Sequence, residues 1–270
     1  MNSTPKAVYT HGHHESVLRS HRRRTAVDSA GYLLPHLRPG MSLLDVGCGP
    51  GTITVDLAAR VAPGRVTAVE LTDDALDLAR AEAQARNQSN IEFATSDIHE
   101  LDFPDNSFDV AHAHQVLQHV ADPVQALREL RRVCVPNGIV AVRDADYAGF
   151  IWFPQLPTLD RWRELYDEAA RTNGGEPDAG RRLLWWAQEA GFDDITPTGS
   201  TWCFATPETR SWWGRMWADR IVASALARQL VDTGMATTAE LDEISSAWLD
   251  WAAAPSGWLA IPHGEILCRA

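Results

Sequence analysis

Through the first part of the chain, short aliphatic runs alternate with longer stretches of helical periodicity. Ser42 to Val46 (SLLDV) is an apolar run closed by Gly47-Cys48-Gly49-Pro50-Gly51, with a helical pattern following to about Val61. That order predicts a buried strand, a glycine turn and a helix. Pro63-Gly64 leads into a second strand, Arg65 to Glu70 (RVTAVE), after which Asp73 is placed to cap a helix reaching about Ala85. A polar loop from Asn87 to Asn90 precedes a third strand, Ile91 to Thr95, and a fourth spans Ser107 to Ala113 (SFDVAHA). Asp122-Pro123 opens the next helix with proline in its first turn, and Pro136-Asn137-Gly138 turns into a fifth strand, Ile139 to Arg143. Short apolar strands alternating with helices need cover on both faces and right-handed crossovers, so the pattern predicts a doubly wound, mostly parallel α/β sheet.

Beyond Tyr147 the rhythm changes. A helical insertion is expected near Leu159 to Arg171, then a loop Asn173-Gly174-Gly175-Glu176-Pro177, then a helix from about Ala179 to Ala190 closed by Gly191. A strand Ile195 to Phe204, a second helical insertion from about Pro207 to Ala253 and a final strand Trp258 to Cys268 complete the chain. The last two strands are expected to form an antiparallel edge, which makes a seven-stranded sheet. At the front, Glu15 to Leu34 reads as a helix stopped by Pro35, with a basic stripe of Arg19, Arg22, Arg23 and Arg24. One domain is expected: residues 1–36 form an arm and helix that act as a lid, and 37–147 form a cofactor-binding core. Residues 148–270 complete the domain, with substrate-side insertions at about 155–173 and 207–253.

Charge narrows the partners. A formal net charge of -12 argues against nucleic acid, because tracking a phosphate backbone needs a basic surface. Cys48, Cys134, Cys203 and Cys268 stand far apart with no C-x-x-C pair, so neither a zinc cluster nor a disulfide framework is suggested, and a reducing cytoplasm fits. No apolar run reaches the length of a membrane span, and the N-terminus lacks the pattern of a signal peptide. All 11 tryptophans lie between Trp152 and Trp258. The small aliphatics of the first part suit a nucleotide-type cofactor, and the large flat side chains of the second suit an aromatic or hydrocarbon-like ligand.

Leu43-Leu44-Asp45-Val46-Gly47-Cys48-Gly49-Pro50-Gly51-Thr52 places glycines at alternate positions directly after a strand. A dinucleotide fingerprint has its third glycine one residue later, as G-x-G-x-x-G. The tighter spacing resembles motif I of the class I S-adenosylmethionine-dependent methyltransferases, in which glycines let the ligand press on the backbone and the helix end helps hold the cofactor carboxylate. A carboxylate at the end of the second strand is the next requirement, since vicinal ribose hydroxyls are two donors best accepted by one carboxylate, and Glu70 meets it, followed by Leu71. At the end of the third strand stands Ser96-Asp97-Ile98; the resemblance implies that Asp97 accepts from the adenine amino group while Ile98 packs on the ring. His114-Gln115-Val116-Leu117-Gln118-His119-Val120 is similar to the motif bordering the methionyl moiety. The resemblance spans about Leu37 to Gly191 and is nearest the branch holding ubiquinone, menaquinone and secondary-metabolite methyltransferases. It implies a Rossmann-like fold, S-adenosylmethionine as cofactor, and Asp45, Gly47, Cys48, Gly49, Gly51, Glu70, Leu71, Asp97, Ile98, His114 and Gln115 as its site.

Methyl transfer from a sulfonium is an in-line displacement that gains most from alignment and exclusion of water, so a base is optional. His114, His119, Asp144, Asp146 and Tyr147 lie at or beyond the carboxyl ends of strands four and five, where open α/β sheets bind ligands; His114, His119 and Asp146 are the candidate bases or orienting groups. Tyr9, His14, Tyr147, Trp213 and Trp217 are the candidate contacts to a small, largely apolar or aromatic acceptor, isoprenoid, quinone-like or a secondary metabolite. Tyr9-Thr10-His11-Gly12-His13-His14 offers imidazoles at short spacing without a set of further ligands, so no metal is expected there. The Trp-rich insertion can roof the active site or form a homo-oligomer interface. The rival readings are an NAD-dependent oxidoreductase, which the glycine spacing disfavours, and a non-catalytic methyltransferase-like partner.

Overall fold

A computed structural model describes His21 and residues 23–270. Strands β1 (Leu43–Val46), β2 (Val66–Glu70), β3 (Ile91–Thr95), β4 (Phe108–His114) and β5 (Cys134–Ala145) pair in parallel in the order β3-β2-β1-β4-β5. Helices α2 (Thr52–Val61), α3 (Asp73–Ala85) and α4 (Pro123–Val133) make the crossovers. α1 (Ala26–Ser29) precedes them. The central strand β1 is buried along its whole length, as a strand covered on both faces must be, whereas the edge strand β3 has no fully buried residue. Asp122 caps α4, accepting from the Gln125 N–H at 2.9 Å, with Pro123 at the first helical position.

The C-terminal strand β8 (Trp258–Arg269) runs antiparallel to β5 on one edge and to β7 (Ile195–Phe204) on the other. Among the described residues the sheet has eight strands, not the expected seven. The additional strand is β6 (Ile151–Phe153), which prolongs the line of β5 after a turn and pairs Trp258 to Ala260 of β8. Three residues are too few to show a period of their own, and Trp152, buried between two exposed neighbours, reveals the strand only in context.

Two expected helices differ. The stretch read as one helix from Glu15 to Leu34 is interrupted within the described residues at Thr25, which starts α1 with a capping box. Its hydroxyl accepts from the Asp28 N–H while the Asp28 carboxylate accepts from the Thr25 N–H at 3.0 Å. Pro35 lies inside a single 3₁₀ turn, Leu34–His36. The helix expected from Ala179 to Ala190 divides into a 3₁₀ turn, Ala179–Arg182, and α6 (Leu183–Glu189), because Asp146 holds both the backbone and the side chain of Arg181 and pins the first turn.

Between these elements the chain forms a second, helical layer from α5 (Pro157–Thr172), α7 (Pro207–Ala223), α8 (Ala225–Asp232) and α9 (Thr238–Ala253). Its core is indole: the Trp162 ring meets Trp217 and Trp248 edge-to-face with centroids 4.5 and 4.9 Å apart. Gly214 lets α7 and α9 approach, since a Cβ there would lie 2.6 Å from Trp248 O. Among the described residues no helix is long and apolar enough to cross a membrane.

Candidate active site

Where β1 ends, the chain turns through Gly47, Gly49 and Gly51 with φ of 69°, 54° and 82°, a left-handed path that side chains with a Cβ rarely take. The three are not equivalent. A Cβ on Gly47 would meet Val116 Cγ2 at 2.5 Å and one on Gly51 would meet Ala79 Cα at 2.8 Å, so both are packed from behind. A Cβ on Gly49 would meet nothing nearer than His21 Nδ1 at 3.8 Å. Gly49 therefore presents bare backbone to the crevice at the carboxyl ends of β1 and β2.

Glu70, the last residue of β2, faces this loop. Its Oε1 accepts from the Gly49 N–H at 2.8 Å and its Oε2 from the Leu71 N–H at 3.3 Å. A carboxylate oxygen can accept more than one hydrogen bond, so this is the group type that a vicinal diol requires. Leu71 is 63% exposed at the rim. At the end of β3, Asp97 Oδ1 takes the His99 N–H at 3.0 Å and lies 2.7 Å from His99 Nδ1, while Ile98 is buried in the cluster with Val69 and Leu101. Asp45 lies below the loop and not on its open side. It is buried, with Oδ1 2.7 Å from His112 Nδ1 and Oδ2 accepting from the Thr54 hydroxyl at 2.5 Å, so it braces β1 against β4 and α2. Cys48 is buried, and burial, then the Asp45 and Glu70 charges, push its thiol well above the ordinary range. It is packing, not a nucleophile. Bare loop, diol-ready carboxylate and the Asp97 carboxylate beyond it together fit the nucleoside sulfonium that the sequence resemblance implies.

A second part of the crevice is built from the ends of β4, β5, β7 and β8 and from α7. A cavity of about 280 Å³ is walled by Tyr147, Phe150, Trp202, Phe204, Trp213 and Trp217, with Arg23, Arg24 and Arg220 among its polar lining. Tyr147 stacks between Phe150 and Tyr166 at 4.4 and 4.0 Å, and burial pushes its phenol up to about 12. Trp213 stacks on Phe204 at 4.5 Å. Tyr9, His14 and the rest of the N-terminal histidine tract lie outside the described residues.

The three candidate bases part company here. Asp146 is not available as one: Arg181 grips both its oxygens, Nε donating to Oδ2 at 2.6 Å, and its Oδ1 also accepts from the Gly149 N–H at 3.0 Å. It is the cap of the turn Tyr147–Gly149. The His119 Nε2 accepts from the Gln118 amide at 2.9 Å, and burial, then Arg24, push its pKa down to about 3. His114, at the end of β4, is buried with no hydrogen-bond partner at either ring nitrogen. Burial, then Arg24 and Arg143, hold it well below the usual histidine range, so it is a neutral imidazole. Asp144 is wholly buried and accepts from the Gln118 N–H at 3.2 Å; desolvation raises its carboxyl to about 7.

Gln115 occupies a left-handed conformation with φ of 55° and is the junction of the site. Its Oε1 accepts from Arg24 Nη2 at 2.6 Å and its amide donates to His263 Nε2 at 2.9 Å, while His263 Nδ1 donates to Ile261 O at 3.0 Å. Sequence reasoning missed Trp202, His263 and Arg220. The available signal was polar residues interrupting an apolar strand, His263 and Glu265 in β8, both buried. Glu265 pairs with Arg143 at 3.2 Å, and the Arg143 guanidinium lies 4.9 Å over the Trp202 ring.

Residues 37–191 match the family described as "Methyltransferase domain". An uncharacterized methyltransferase of Schizosaccharomyces pombe is 35% identical over 98% of each chain. The "Probable methyltransferase ltbC" of Aspergillus luteorubrus is 30% identical over 96% of each. The fold is that of Haemonchus contortus phosphoethanolamine N-methyltransferase 2, solved with S-adenosyl-L-methionine, at a TM-score of 0.54 and 19% identity, covering 86% of this chain and 49% of that one. Matched by one family along residues 37–191 and by a methyltransferase along almost its whole length, the chain belongs to the class I S-adenosylmethionine-dependent methyltransferases.

Proposed function

We propose that the chain methylates a small, compact aromatic or largely apolar metabolite held in the cavity between the strand ends and α7. The observation that carries this reading is the cavity wall itself: an aromatic-walled cavity of about 280 Å³ joined to the glycine loop through His21, which lines the cavity and approaches Gly49. That volume is near the lower end of ligand pockets, about 300 to 1,000 Å³, and suits one or two fused rings better than a long chain. Buried flat faces contribute both apolar area and ring–ring contacts to a planar guest.

When bound, S-adenosylmethionine supplies an electrophilic methyl group on a sulfonium. On the protein's side, the Gly49 backbone, Glu70, Asp97 and the Ile98 backbone would hold it, with Gln115 and His114 bordering its amino-acid end. The acceptor would lie against Trp213 and Trp217, with Tyr147, both of whose faces are taken by Phe150 and Tyr166, offering only its edge to the wall. His21 and residues 23–28 would serve as a strap over both halves: the His21 carbonyl accepts from the Thr52 hydroxyl at 3.3 Å, and the Asp28 carbonyl accepts from Trp202 Nε1 at 2.9 Å. Closing that strap would exclude water and align the partners, a contribution that reaches about 7 to 11 kcal/mol in favourable cases. His114 would act by orientation and not as a base, because burial first, and then Arg24 and Arg143, disfavour the imidazolium that proton abstraction would create.

The test is incubation of extracts with isotopically labelled S-adenosylmethionine followed by mass spectrometry. One low-mass aromatic product carrying the label is expected. Label found only in protein, nucleic acid or long-chain lipid would remove this reading.

A further inference from the structure

Residues 115–118 join the two parts of the crevice, and their backbone is strained. Gln115, left-handed at φ 55°, ties Arg24 to His263. The next residue, Val116, packs behind the glycine loop, its Cγ2 2.5 Å from where a Cβ on Gly47 would lie. A left-handed glutamine persists only where its surroundings over-determine it. Two consecutive residues at the end of β5 do so. The Arg143 carbonyl accepts from the Gln115 N–H at 2.7 Å, and Asp144 Oδ1 accepts from the Gln118 N–H at 3.2 Å, so the turn is gripped at both ends. Gln118 returns a bond, its Oε1 accepting from the Ala145 N–H at 3.2 Å.

Asp144 is itself held fast. It pairs with Gly264 of β8, and a Cβ on Gly180 would lie 2.8 Å from its carbonyl oxygen. Its side chain is wholly buried, and Oδ2 has no hydrogen-bond partner among the described residues. Burial raises the carboxyl to about 7 against the pull of the Gln118, Leu117 and Val116 N–H groups, which belong to the turn. A carboxyl kept dry at such a cost calls for a purpose, and the groups that act on it say where that purpose lies. We infer that Asp144 is a positioning residue for methyl transfer: through Gln118 it holds Gln115 in the conformation that borders the amino-acid end of the cofactor. This rests on the reading that places Gln115 at that end.

The experiment is titration calorimetry of the full chain with S-adenosylhomocysteine. Asp144→Leu keeps the branched shape and removes the acceptor, and should weaken binding about fivefold or more, the lower end of what a buried N–H left unmatched costs. Asp144→Asn, whose amide oxygen still accepts from Gln118, should restore most of that affinity. In a Gln115→Ala chain, itself weakened, Asp144→Leu should cost less than about twofold further, because both changes act through one group. Melting curves report folding; should Asp144→Leu not fold, Asp144→Ala, which lacks the acceptor without the branched bulk, is read in its place. Undiminished binding by that variant beside a weakened Gln115→Ala overturns the inference and leaves Gln115 at the cofactor. Losses that add in full in the double variant overturn it as well. Undiminished binding by Gln115→Ala removes Gln115 from the cofactor, and the inference with it.

Discussion

Replacing Glu70 by alanine tests the cofactor site at its most specific contact. The carboxylate would bridge two things: it fixes the glycine loop through the Gly49 N–H at 2.8 Å, and under the proposed function it would accept from the ribose diol. A hydrogen bond to a charged group contributes about 1.5 to 3 kcal/mol. At 1.4 kcal/mol per tenfold, Glu70→Ala should weaken S-adenosylhomocysteine binding by roughly 10- to 150-fold. The loop bond and the ribose bond separate with Glu70→Gln, whose amide oxygen still accepts from Gly49 but without the charge. That variant should lose less affinity than alanine and keep the thermal stability of the parent. Titration calorimetry on all three chains at one pH, with melting curves alongside, reads both effects. An alanine variant binding within twofold of the parent would place the ribose elsewhere and refute the reasoning.

At Gly51, where φ is 82° and a Cβ would lie 2.8 Å from Ala79 Cα, alanine combines left-handed strain of about 1 to 2 kcal/mol with overlap against α3. Urea denaturation of Gly51→Ala should show that loss or more, and an unchanged midpoint would count against the packing described. Asp144 titrates near 7 when folded against about 3.9 when unfolded, because burial disfavours its charge, so the folded chain binds more protons between those values. Its contribution therefore costs stability increasingly as pH rises from about 4 through 7, and Asp144→Asn should shrink the stability difference between pH 5 and pH 8; an identical difference in both chains would refute the assignment. Asp146→Asn weakens the grip on Arg181, which is half exposed and screened, so a loss on the order of 1 kcal/mol in stability is expected, with no displacement of the pH–rate profile. A fall in kcat of about 100-fold or more at unchanged stability would instead restore Asp146 as a base.

The α/β repeat was legible because each βα unit carries its own punctuation. β3 and β7 coincide with the segments read as strands, and Asp122-Pro123 opens α4 as its capping chemistry requires. The loop was legible for the same reason, since Gly47, Gly49 and Gly51 report a backbone need that is local. Asp146 misled because its partner, Arg181, lies 35 positions on and nothing near Asp146 announces it. The helix read through Thr25 failed on a local competitor: a threonine three residues before an aspartate caps more strongly than the basic stripe sustains a helix. Gln115 and His263 are 148 positions apart and meet only because β8 returns antiparallel between β5 and β7. No periodicity in either segment encodes that contact.

The same distinction separates cofactor from acceptor. A cofactor shared across a family is met by backbone and by carboxylates at strand ends, and those positions are set by the sheet alone. Under the proposed function the acceptor would be met by side chains from α7, β7 and the segment ahead of α1, and their relative placement depends on how an indole-rich layer seats on the sheet. Trp217 shows the coupling: its ring is fixed by Trp162 and Trp248 within the layer, and it also lines the cavity. Substitutions inside that layer would therefore reach the acceptor without touching it. A smaller residue at Trp162 or Trp248 would release the Trp217 ring, loosening the surface against which the substrate is aligned, while the loop holding Gly49 to Glu70 stays as it is.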